Sequence, residues 1–549
     1  MTDQELRTTA FPTLDPAQLA ALGRCPLTAL KRYLDGEKLF EAGKCDQKFF
    51  VVKSGQVVVV DDTEEPPKQV AAIGTGQFSG EVSQLAGSPS LVTGLARGEC
   101  EVYEVSQESL RQLLNHDQAL SDLILQAFLA RRHLLRESGE FAGPRVIGSR
   151  YSQQTFRVRD FLTRNGVPYT WLDLDIDSDV SQLMRQFGVT ESDTPVVSRG
   201  HNLFLRNPSN RELAQALGLY RPLAQEVYDL VIVGAGPAGL AAAVYGASEG
   251  LRTLVLERTA PGGQAGRSMR IENYLGFPTG ITGGDLAERA AFQANKFGAS
   301  LTVATQVTRL TFDEGRSVLQ IEGGKTVAAK CLLIATGADY RLLVAENCEQ
   351  FEGRGVYYAA TPLEAQMCQG SDVVVVGGGN SAGQAAVFLA RQVRRVYLVI
   401  RHDNLYKDMS SYLARRVEFA RNIEIVRDTV LRRMTGDGHL SAVEFNNKKT
   451  GETWSLRTPA VFSFIGAVPR TEWLPAEIEK DPKGFVSTGT FVGQSPHWNA
   501  KRHPYFLETS RPGVFAAGDV RSGSVKRVAS AVGEGSMAVQ FVHACLRET

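Results

Sequence analysis

The sequence has 549 residues, of which 43% are hydrophobic and 22% charged, a composition typical of a folded globular protein. Lys plus Arg and Asp plus Glu both number 60, so no overall basic field indicates binding to nucleic acid or to an anionic membrane. At this length several domains are predicted, because single cores stop growing near about 250–300 residues. The start lacks the pattern of a secretory signal, and the one long uncharged run, 230–248, contains a glycine motif, so we expect a cytoplasmic protein with no membrane partner.

The cysteines are scattered along the chain, and no two of them form a C-x-x-C pair. This spacing argues against a zinc ribbon and a local dithiol, and no metal site is predicted. Isolated cysteines in a reducing compartment act as small hydrophobic residues, which we expect of most of these. The seven are Cys25, Cys45, Cys100, Cys331, Cys348, Cys368 and Cys545.

Residues 1–143 have the pattern of a β-roll closed by a helix. Within them, 49–60 are predicted to form two short strands joined by a Ser-Gly turn, and the apolar segment 120–135 a helix. No helix-turn-helix follows that segment, so a transcription factor is not indicated.

The segment 76–82 within this first region resembles the phosphate cassette of the cyclic-nucleotide-binding domain family. The resemblance implies that Glu81 binds the ribose of a cyclic nucleotide. At the place of the family's phosphate-binding Arg, however, this chain has Ser90. Since the charge-assisted bonds to the phosphate are then missing, we expect cAMP or cGMP to bind weakly or not at all.

Residues 144–222 alternate strands and helices in βαβ order, with Thr194-Pro195 ahead of a strand. They resemble the thioredoxin/glutaredoxin family, in which the corresponding proline is cis. The family's C-x-x-C matches Ser152 to Thr155, where hydroxyls replace both cysteines. Because a hydroxyl cannot form the thiolate that disulfide exchange requires, we expect a redox-inactive domain kept for docking or packing.

A dinucleotide-binding motif follows at residues 227–239, where a buried strand runs into Gly-x-Gly-x-x-Gly and an Ala-rich helix. Gly234 permits the tight turn, Gly236 lets backbone N–H groups approach a pyrophosphate, and Gly239 allows close packing of helix on strand. The phosphates are expected at the helix N-terminus. Glu257 ends the next strand, where the ribose of a dinucleotide finds an acidic partner.

Four later motifs follow this one in a fixed order, and the whole set resembles the FAD-binding motifs of the low-molecular-weight thioredoxin reductase family across residues 226–549. They are Arg258–Gln264, Ile271–Pro278, Ala335–Ala338 and Phe515–Val520. The resemblance implies an FAD domain in two parts, 223–354 and 476–549, with an NAD(P)H domain, 355–475, inserted between them. The expected fold is therefore multi-domain α/β, with an N-terminal β-roll, a thioredoxin-like domain and two Rossmann-like domains.

The resemblance also implies roles for single residues. Glu257 would bind the adenosine ribose, Gly262–Gln264 would lie along the flavin, Asn273 would contact the isoalloxazine and Asp519 the ribityl chain. The residues that it assigns to FAD are Gly234, Gly236, Pro237, Ala238, Gly239, Glu257, Arg258, Gly263, Gln264, Asn273, Ala335, Gly337, Gly518 and Asp519.

A second glycine motif follows the apolar strand 372–376. The strand after its helix ends in Arg401 and His402, where the first motif has Glu257. An Arg can pair with the 2′-phosphate of NADPH, whereas a carboxylate would favour NADH, so NADPH is the predicted hydride donor. The residues assigned to NAD(P)H are Gly377, Gly379, Asn380, Ser381, Ala382, Arg401 and His402.

The redox motif of the family, C-A-T-C, matches Ala359 to Pro362, so both of its cysteines are absent. We therefore expect hydride transfer from NADPH to FAD, with FAD rather than a protein thiol as the redox group and an unidentified acceptor beyond it. Two alternatives stay open: an electron-transfer reductase for a ferredoxin- or flavodoxin-like partner, and a non-catalytic sensor of nucleotides. A homodimer is implied by the resemblance alone.

Overall fold

The computed structural model describes residues 3–44, 48–61, 66–80, 84, 85, 90, 92–137, 143–177, 180, 184, 185, 188–200, 203–223 and 227–548. These residues confirm a multi-domain α/β fold in which an N-terminal β domain precedes sheets of the Rossmann type. None of the helices described in these ranges combines the length and the apolar character needed to span a bilayer.

The N-terminal domain is an antiparallel β-roll with helices before and after it. Its sheet has the strand order β1-β5-β3-β4, with β2 also paired to β5. The strands are β1 (Thr28–Tyr33), β2 (Lys38–Phe40), β3 (Phe49–Asp61), β4 (Lys68–Gly74) and β5 (Thr93–Val105), and the helices are α1 (Asp3–Ala10), α2 (Pro16–Arg24), α3 (Gln107–His116) and α4 (Gln118–Glu137).

One prediction for this domain was wrong: residues 49–60 lie in the single strand β3 instead of two strands joined by a turn. The register of β3 against β5 shifts on both sides of Ser54, which marks a bulge. Gly55 has φ +87°, and a Cβ there would lie 2.5 Å from the carbonyl oxygen of Glu99. A glycine at positive φ fits a bulge as well as a turn, so the local sequence did not distinguish the two.

Residues 144–222, called the middle module below, contain a four-stranded mixed sheet in the order β7-β6-β8-β9. The Thr194–Pro195 peptide bond is cis. The elements are β6 (Arg145–Ile147), α5 (Gln153–Arg164), β7 (Thr170–Leu172), β8 (Val196–Arg199), β9 (Leu203–Arg206) and α6 (Asn210–Ala216). At the position of the first missing cysteine, the Ser152 hydroxyl accepts a hydrogen bond from the Thr155 N–H at 3.2 Å and caps α5.

The next sheet is built around the strand that leads into the first glycine motif. This strand, β10, pairs in parallel with β11 and β15, and residues 230–233 are all buried, as expected of a parallel strand covered on both faces. The half that the sequence predicts to bind FAD, called the FAD half below, contains β10 (Val227–Val233), α7 (Pro237–Ser248), β11 (Thr253–Leu256), α8 (Gly283–Lys296), β12 (Ser300–Thr302), β13 (Val307–Asp313), β14 (Arg316–Ile321) and β15 (Thr326–Ile334).

The chain leaves this half through β16 (Ala338–Tyr340) and returns through its antiparallel partner β25 (Ala467–Pro469). Between them lies the half that the sequence predicts to bind NAD(P)H, called the NAD(P)H half below, with the parallel sheet β17-β24-β18-β19-β20 and an antiparallel sheet of β21, β22 and β23. Its elements are β17 (Val356–Tyr357), α9 (Pro362–Met367), β18 (Asp372–Val376), α10 (Asn380–Leu389), β19 (Arg395–Val399), α11 (Ser411–Phe419), β20 (Ile423–Val426), β21 (Thr429–Thr435), β22 (Ala442–Asn447), β23 (Thr453–Arg457) and β24 (Val461–Ser463). The FAD half then closes with β26 (Val514–Ala516), parallel to β15, and with the long helix α12 (Val528–Glu548).

Helix α5 of the middle module contacts both nucleotide-binding halves. On the side of the NAD(P)H half, the ring of Phe156 lies 5.6 Å from that of Tyr357, centroid to centroid. On the side of the FAD half, Asp160 accepts a hydrogen bond from Arg267 at 3.0 Å. The module therefore packs across the junction of the two halves.

The N-terminal domain packs against α8 of the FAD half. Phe292 of α8, 6% exposed, belongs to the apolar core of the N-terminal domain. Beside it, Arg132 of α4 lies 3.3 Å from the carboxylate of Glu288.

The preceding residue, Arg131, points back into the N-terminal domain. Its buried guanidinium donates to the carbonyls of Ala10, Phe78 and Gly80 at 2.7, 2.9 and 2.6 Å. Arg131 thus holds Phe78 and Gly80 of the segment 76–82 in place, while its neighbour Arg132 pairs with Glu288 of the FAD half.

A carboxyl group is buried beneath the middle module. Glu364, on the first turn of α9, is 1% exposed and accepts hydrogen bonds from the N–H of Thr361, at 2.7 Å, and from its hydroxyl. Burial, with the charge of Asp160 as a smaller contribution, raises the pKa of Glu364 from an ordinary value of 4.5 to about 7.

We predict that Glu364→Gln stabilises the protein above neutral pH. A raised pKa in the folded state means that the parent protein loses stability as pH rises from 4.5 to about 7, because the unfolded chain releases this proton first. A shift of this size corresponds to about 3 kcal/mol, and an unpaired amide N–H in the variant offsets part of it, so we expect a gain of about 1–3 kcal/mol at pH 8 and little gain at pH 4.5. Urea denaturation at both pH values measures this.

The matched control is Glu346→Gln, since Glu346 is half-exposed and pairs with Arg433 at the surface. It should leave the pH dependence unchanged. A parent protein with equal stability at pH 5 and pH 8 would contradict the assignment.

Candidate functional site: the cleft between the two halves

The first glycine motif leaves an open space in front of helix α7. Gly234 has φ +104°, and a Cβ there would lie 2.4 Å from the carbonyl oxygen of Ala335. A Cβ on Gly239 would lie 1.9 Å from the carbonyl oxygen of Gly234, so both glycines are needed by the fold itself. Gly236, by contrast, would place a Cβ where no atom lies within 4 Å. This gap at a helix N-terminus is a place for an anion.

Glu257 connects the strands and loops around this gap. Its carboxylate is 9% exposed and accepts the backbone N–H of Ala235 at 2.8 Å through one oxygen. The other oxygen accepts the N–H groups of Thr259 and Ala260 at 2.8 and 3.2 Å. A carboxylate has about four acceptor positions, so it can also accept a ribose hydroxyl.

The loop after Glu257 lies opposite the glycine turn and can form one side of a dinucleotide site. A Cβ on Gly263 would lie 3.1 Å from the Cα of Gly236, so the loop faces the glycine turn. Gln264 Oε1 and Arg267 Nε are buried without a hydrogen-bond partner among the described residues. Buried polar atoms rarely stay unpaired in a finished site, so the residues present fit FAD.

The remaining residues assigned to FAD lie around the same gap, with one exception. Pro237 and Ala238 open α7, Ala335 and Gly337 follow β15, and Arg258 lies 3.9 Å from Asp339. The exception is Asn273, which is exposed and does not line the cavity between the halves.

Asp519 is positioned by helix α12. Gly518 has φ +77°, and its N–H donates to Glu534 of α12 at 2.7 Å. Glu534 also pairs with Arg521, so one side chain of the helix fixes both ends of the Asp519 turn. Burial raises the pKa of the Asp519 carboxyl. The sequence motif included Asp519 but did not indicate Glu534, which lies in a later helix.

A cavity of about 590 Å³ separates the two halves. Its walls come from the loop of Gln264, from β16, from the segment that should hold the redox motif and from α10. Tyr340 of β16 and Ser381 of α10 both line this cavity, and the ring of Tyr340 lies edge-on to that of Phe464 at 5.5 Å. No cysteine is among the described residues that line it. These lining residues include Gln264, Tyr340, Ala359, Ala360, Ser381 and Phe464.

The second glycine motif is built like the first. Gly377 has φ +139°, and a Cβ there would lie 2.5 Å from the carbonyl oxygen of Phe464. Gly379 heads α10, and Ala382 is buried beneath the turn. The Asn380 side chain accepts from the N–H and the hydroxyl of Ser410 at 2.8 and 2.6 Å, which fixes the following loop against the turn.

Arg401 follows strand β19, which ends at Val399, by two residues. Its guanidinium is exposed, donates to Nε2 of His402 at 3.1 Å and makes no ion pair with the described residues. A guanidinium with donors to spare can bind a phosphate.

Residues 228–535 match the family model described as pyridine nucleotide-disulphide oxidoreductase. The chain belongs to this family. A thioredoxin reductase of Treponema pallidum is 38% identical over 312 residues, which are 57% of this chain and 94% of that protein. A Clostridium pasteurianum protein described as "34.2 kDa protein in rubredoxin operon" is 33% identical over 310 residues, or 56% of this chain and 94% of its own length.

Solved structures agree with the assignment of this oxidoreductase. The thioredoxin reductase of Lactococcus lactis, in its FR conformation, aligns with a TM-score of 0.53 at 30% identity, covering 59% of this chain and all of its own. That of T. acidophilum gives a TM-score of 0.52 at 30% identity, covering 58% and 98%. Membership of the family implies use of FAD and a pyridine nucleotide.

Residues 30–117 match the cyclic nucleotide-binding domain model, which confirms the predicted N-terminal domain. Glu81 lies outside the described residues. Ser90 is 6% exposed, and its hydroxyl donates to the Val92 carbonyl at 2.6 Å and accepts the Val92 N–H. Because the hydroxyl is occupied in this turn, it does not replace the missing cation, and weak nucleotide binding stays our prediction.

The cysteines of this oxidoreductase contain one pair that the sequence did not indicate. Cys331 of β15 and Cys545 of α12 are buried in the same apolar core, and the interaction with the Cys545 thiol, followed by burial, raises the pKa of Cys331. The prediction of isolated cysteines was made for most of the seven, and these two are an exception, because helix α12 returns to β15 from the far end of the chain. Neither lines the cavity between the halves. In the described parts of the chain, no cluster of potential metal ligands occurs.

We predict that Gly236→Val abolishes FAD binding but leaves the protein folded. Gly236 has φ −71°, which any residue adopts, and no atom of the described residues lies within 4 Å of a Cβ there, so we expect the cofactor to clash with the side chain. The measurements are the absorbance of bound flavin and the melting temperature. The control is Gly533→Ala on α12, where a Cβ also meets open space. Stoichiometric FAD in a folded Gly236→Val variant would overturn the assignment.

Proposed function

We propose that this oxidoreductase transfers a hydride from NADPH to FAD and passes the electrons to an acceptor without a protein dithiol. FAD would lie between the first glycine turn, Glu257 and the loop of Gln264, with Asp519 at its flavin end. NADPH would bind the second glycine turn, with Arg401 and His402 at its 2′-phosphate. FAD supplies the redox chemistry, and the protein positions the two nucleotides.

The observation that carries this proposal is the cavity between the halves. Residues of both glycine-motif domains line it, so that two nucleotides can meet there. At the segment that resembles C-A-T-C it presents Ala359 and Ala360, and no cysteine is among its described lining residues. Disulfide exchange needs a thiolate next to the disulfide it attacks, and this wall has none.

The middle module supports an acceptor other than thioredoxin. Phe156 of its helix α5 packs on Tyr357, two residues before Ala359, so this side of the segment that resembles the redox motif is occupied by the chain's own module. Reduced flavin would then pass electrons through the open cleft to a small molecule, to oxygen or to a ferredoxin- or flavodoxin-like protein. A cytoplasmic location and a homodimer stay predictions from sequence and resemblance.

The decisive experiment is an anaerobic titration of the purified protein with NADPH, followed by a panel of acceptors. Bleaching of the flavin absorbance by about one equivalent of NADPH supports the proposal, and a flavin that stays oxidised identifies a nucleotide sensor instead. Ferredoxin, flavodoxin, quinones, oxygen and thioredoxin are then compared as acceptors. Fast turnover with thioredoxin would contradict the dithiol-free route.

We predict that Arg401→Ala raises KM for NADPH much more than KM for NADH. A charge-assisted bond to the 2′-phosphate contributes about 1.5–3 kcal/mol, and NADH has no such phosphate. The measurement is the rate of flavin reduction at varied nucleotide concentrations. Arg432→Ala, on β21 of the NAD(P)H half where Arg432 pairs with Glu444, serves as a control for the loss of a positive charge. Equal effects of Arg401→Ala on both nucleotides would move the phosphate contact elsewhere.

We predict that a cysteine-free variant retains NADPH consumption with every acceptor that the parent uses. Cys368, the cysteine nearest to the expected redox motif, is 1% exposed, and burial raises the pKa of its thiol to about 12, so little thiolate exists at neutral pH. Activity on a protein disulfide that is strong in the parent and lost in Cys368→Ser or Cys545→Ser would reveal a single-thiol relay and refute this prediction.

A further inference from the structure

The last turn of α5 in the middle module lies on the loop that faces the FAD glycine turn. Arg164 donates to the carbonyl of Gly263 at 3.4 Å, and Asn165 donates to the carbonyl of Thr259 at 3.0 Å. Since Gly263 opposes Gly236 closely, the guanidinium of Arg164 is one loop away from the gap at the helix N-terminus. No sequence motif placed a residue of this module near FAD.

Arg164 is a buried cation with incomplete charge compensation. Its side chain is 16% exposed and lies 3.8 Å from Asp160, but that carboxylate is bound more closely by Arg267, at 3.0 Å. Burial, followed by the repulsion of Arg267, lowers the pKa of Arg164. A buried charge is costly unless a counter-charge meets it.

The wider cluster around Arg164 also has more positive than negative charge among the described residues. Four guanidinium groups face three carboxylates, and one of these carboxylates, Glu257, is already engaged by three backbone N–H groups. Asp339 pairs with Arg470 and lies 3.9 Å from Arg258. The members are Arg164, Arg258, Arg267 and Arg470 with Asp160, Glu257 and Asp339.

We propose that the middle module completes the FAD site, with Arg164 as a positioning residue that holds the loop of Gly263 against the glycine turn and adds positive charge behind the place of the FAD pyrophosphate. This inference rests on the proposed binding of FAD. The module would then have a function that needs no cysteine, because the end of α5 contributes a positive charge and packs against the loop of Gly263. The cluster has an excess of positive charge, and the pyrophosphate expected at the glycine turn would supply the matching negative charge.

The test is the affinity of the full-length apoprotein for FAD, followed by flavin fluorescence. Arg164→Gln should raise Kd for FAD roughly tenfold, because the site loses a positive charge and the charge-assisted bond that holds the loop of Gly263. Arg164→Lys should retain part of the affinity, because it keeps the charge. The Kd of Arg164→Gln should also depend less on ionic strength than that of the parent.

A control variant and a comparison of two ligands distinguish an effect on pyrophosphate binding from an effect on packing alone. Arg157, on the same helix, bonds to Asn210 and to the carbonyl of Pro208 inside the module, so Arg157→Gln is the matched control and should leave Kd for FAD close to that of the parent. ADP and adenosine are then compared as ligands of the apoprotein. Arg164→Gln should weaken ADP, which carries the pyrophosphate, and leave adenosine unchanged.

The outcomes are distinguishable. A parent protein that binds no FAD refutes the proposed function and this inference together. A parent that binds FAD, with an unchanged Kd in Arg164→Gln, overturns this inference alone. Equal losses of ADP and adenosine binding, or an equal effect of Arg157→Gln, would assign Arg164 a structural role only and also overturn it.

Discussion

The geometry of the candidate site depends on one buried carboxylate. Glu257 accepts hydrogen bonds from Ala235 in the glycine turn and from Thr259 and Ala260 in the next loop, so one side chain sets the spacing of two loops that are separate in sequence. Backbone N–H groups stabilise its negative charge in place of water. Without this carboxylate the two loops would present several unpaired donors, and the gap at Gly236 would lose its shape.

Much of the site could be predicted because its signals are local. A strand, a glycine turn and a helix are contiguous, so both Rossmann turns and the strand Asp372–Val376 agree with the sequence analysis. Contacts between distant segments could not be predicted in this way. The proximity of Cys331 and Cys545 depends on how the last helix folds back on β15, and the contact of Arg164 with Gly263 depends on how two domains pack, and no local pattern encodes either. The prediction of a turn at Gly55 was wrong for another reason, since a positive φ occurs in a turn and in a bulge alike.

The contact between Phe156 and Tyr357 brings together the two segments that the sequence analysis compared with redox motifs. Ser152 caps the start of α5, four residues before Phe156, and Ala359 follows Tyr357 by two residues. Hydroxyl and apolar side chains in these segments permit permanent packing, because no bond has to be made or broken there. The middle module is in this way a fixed neighbour of the NAD(P)H half.

Two adjacent arginines on α4 have a consequence for how this protein can be divided. Arg131 is anchored inside the N-terminal domain and Arg132 lies against Glu288, while Phe292 completes the core of a domain to which it does not belong in sequence. A shortened enzyme without the N-terminal domain would expose the ring of Phe292 and remove the Arg132 guanidinium from beside Glu288. Helix α8 therefore serves two cores at once, and cutting the chain between the domains would require a polar residue in place of Phe292.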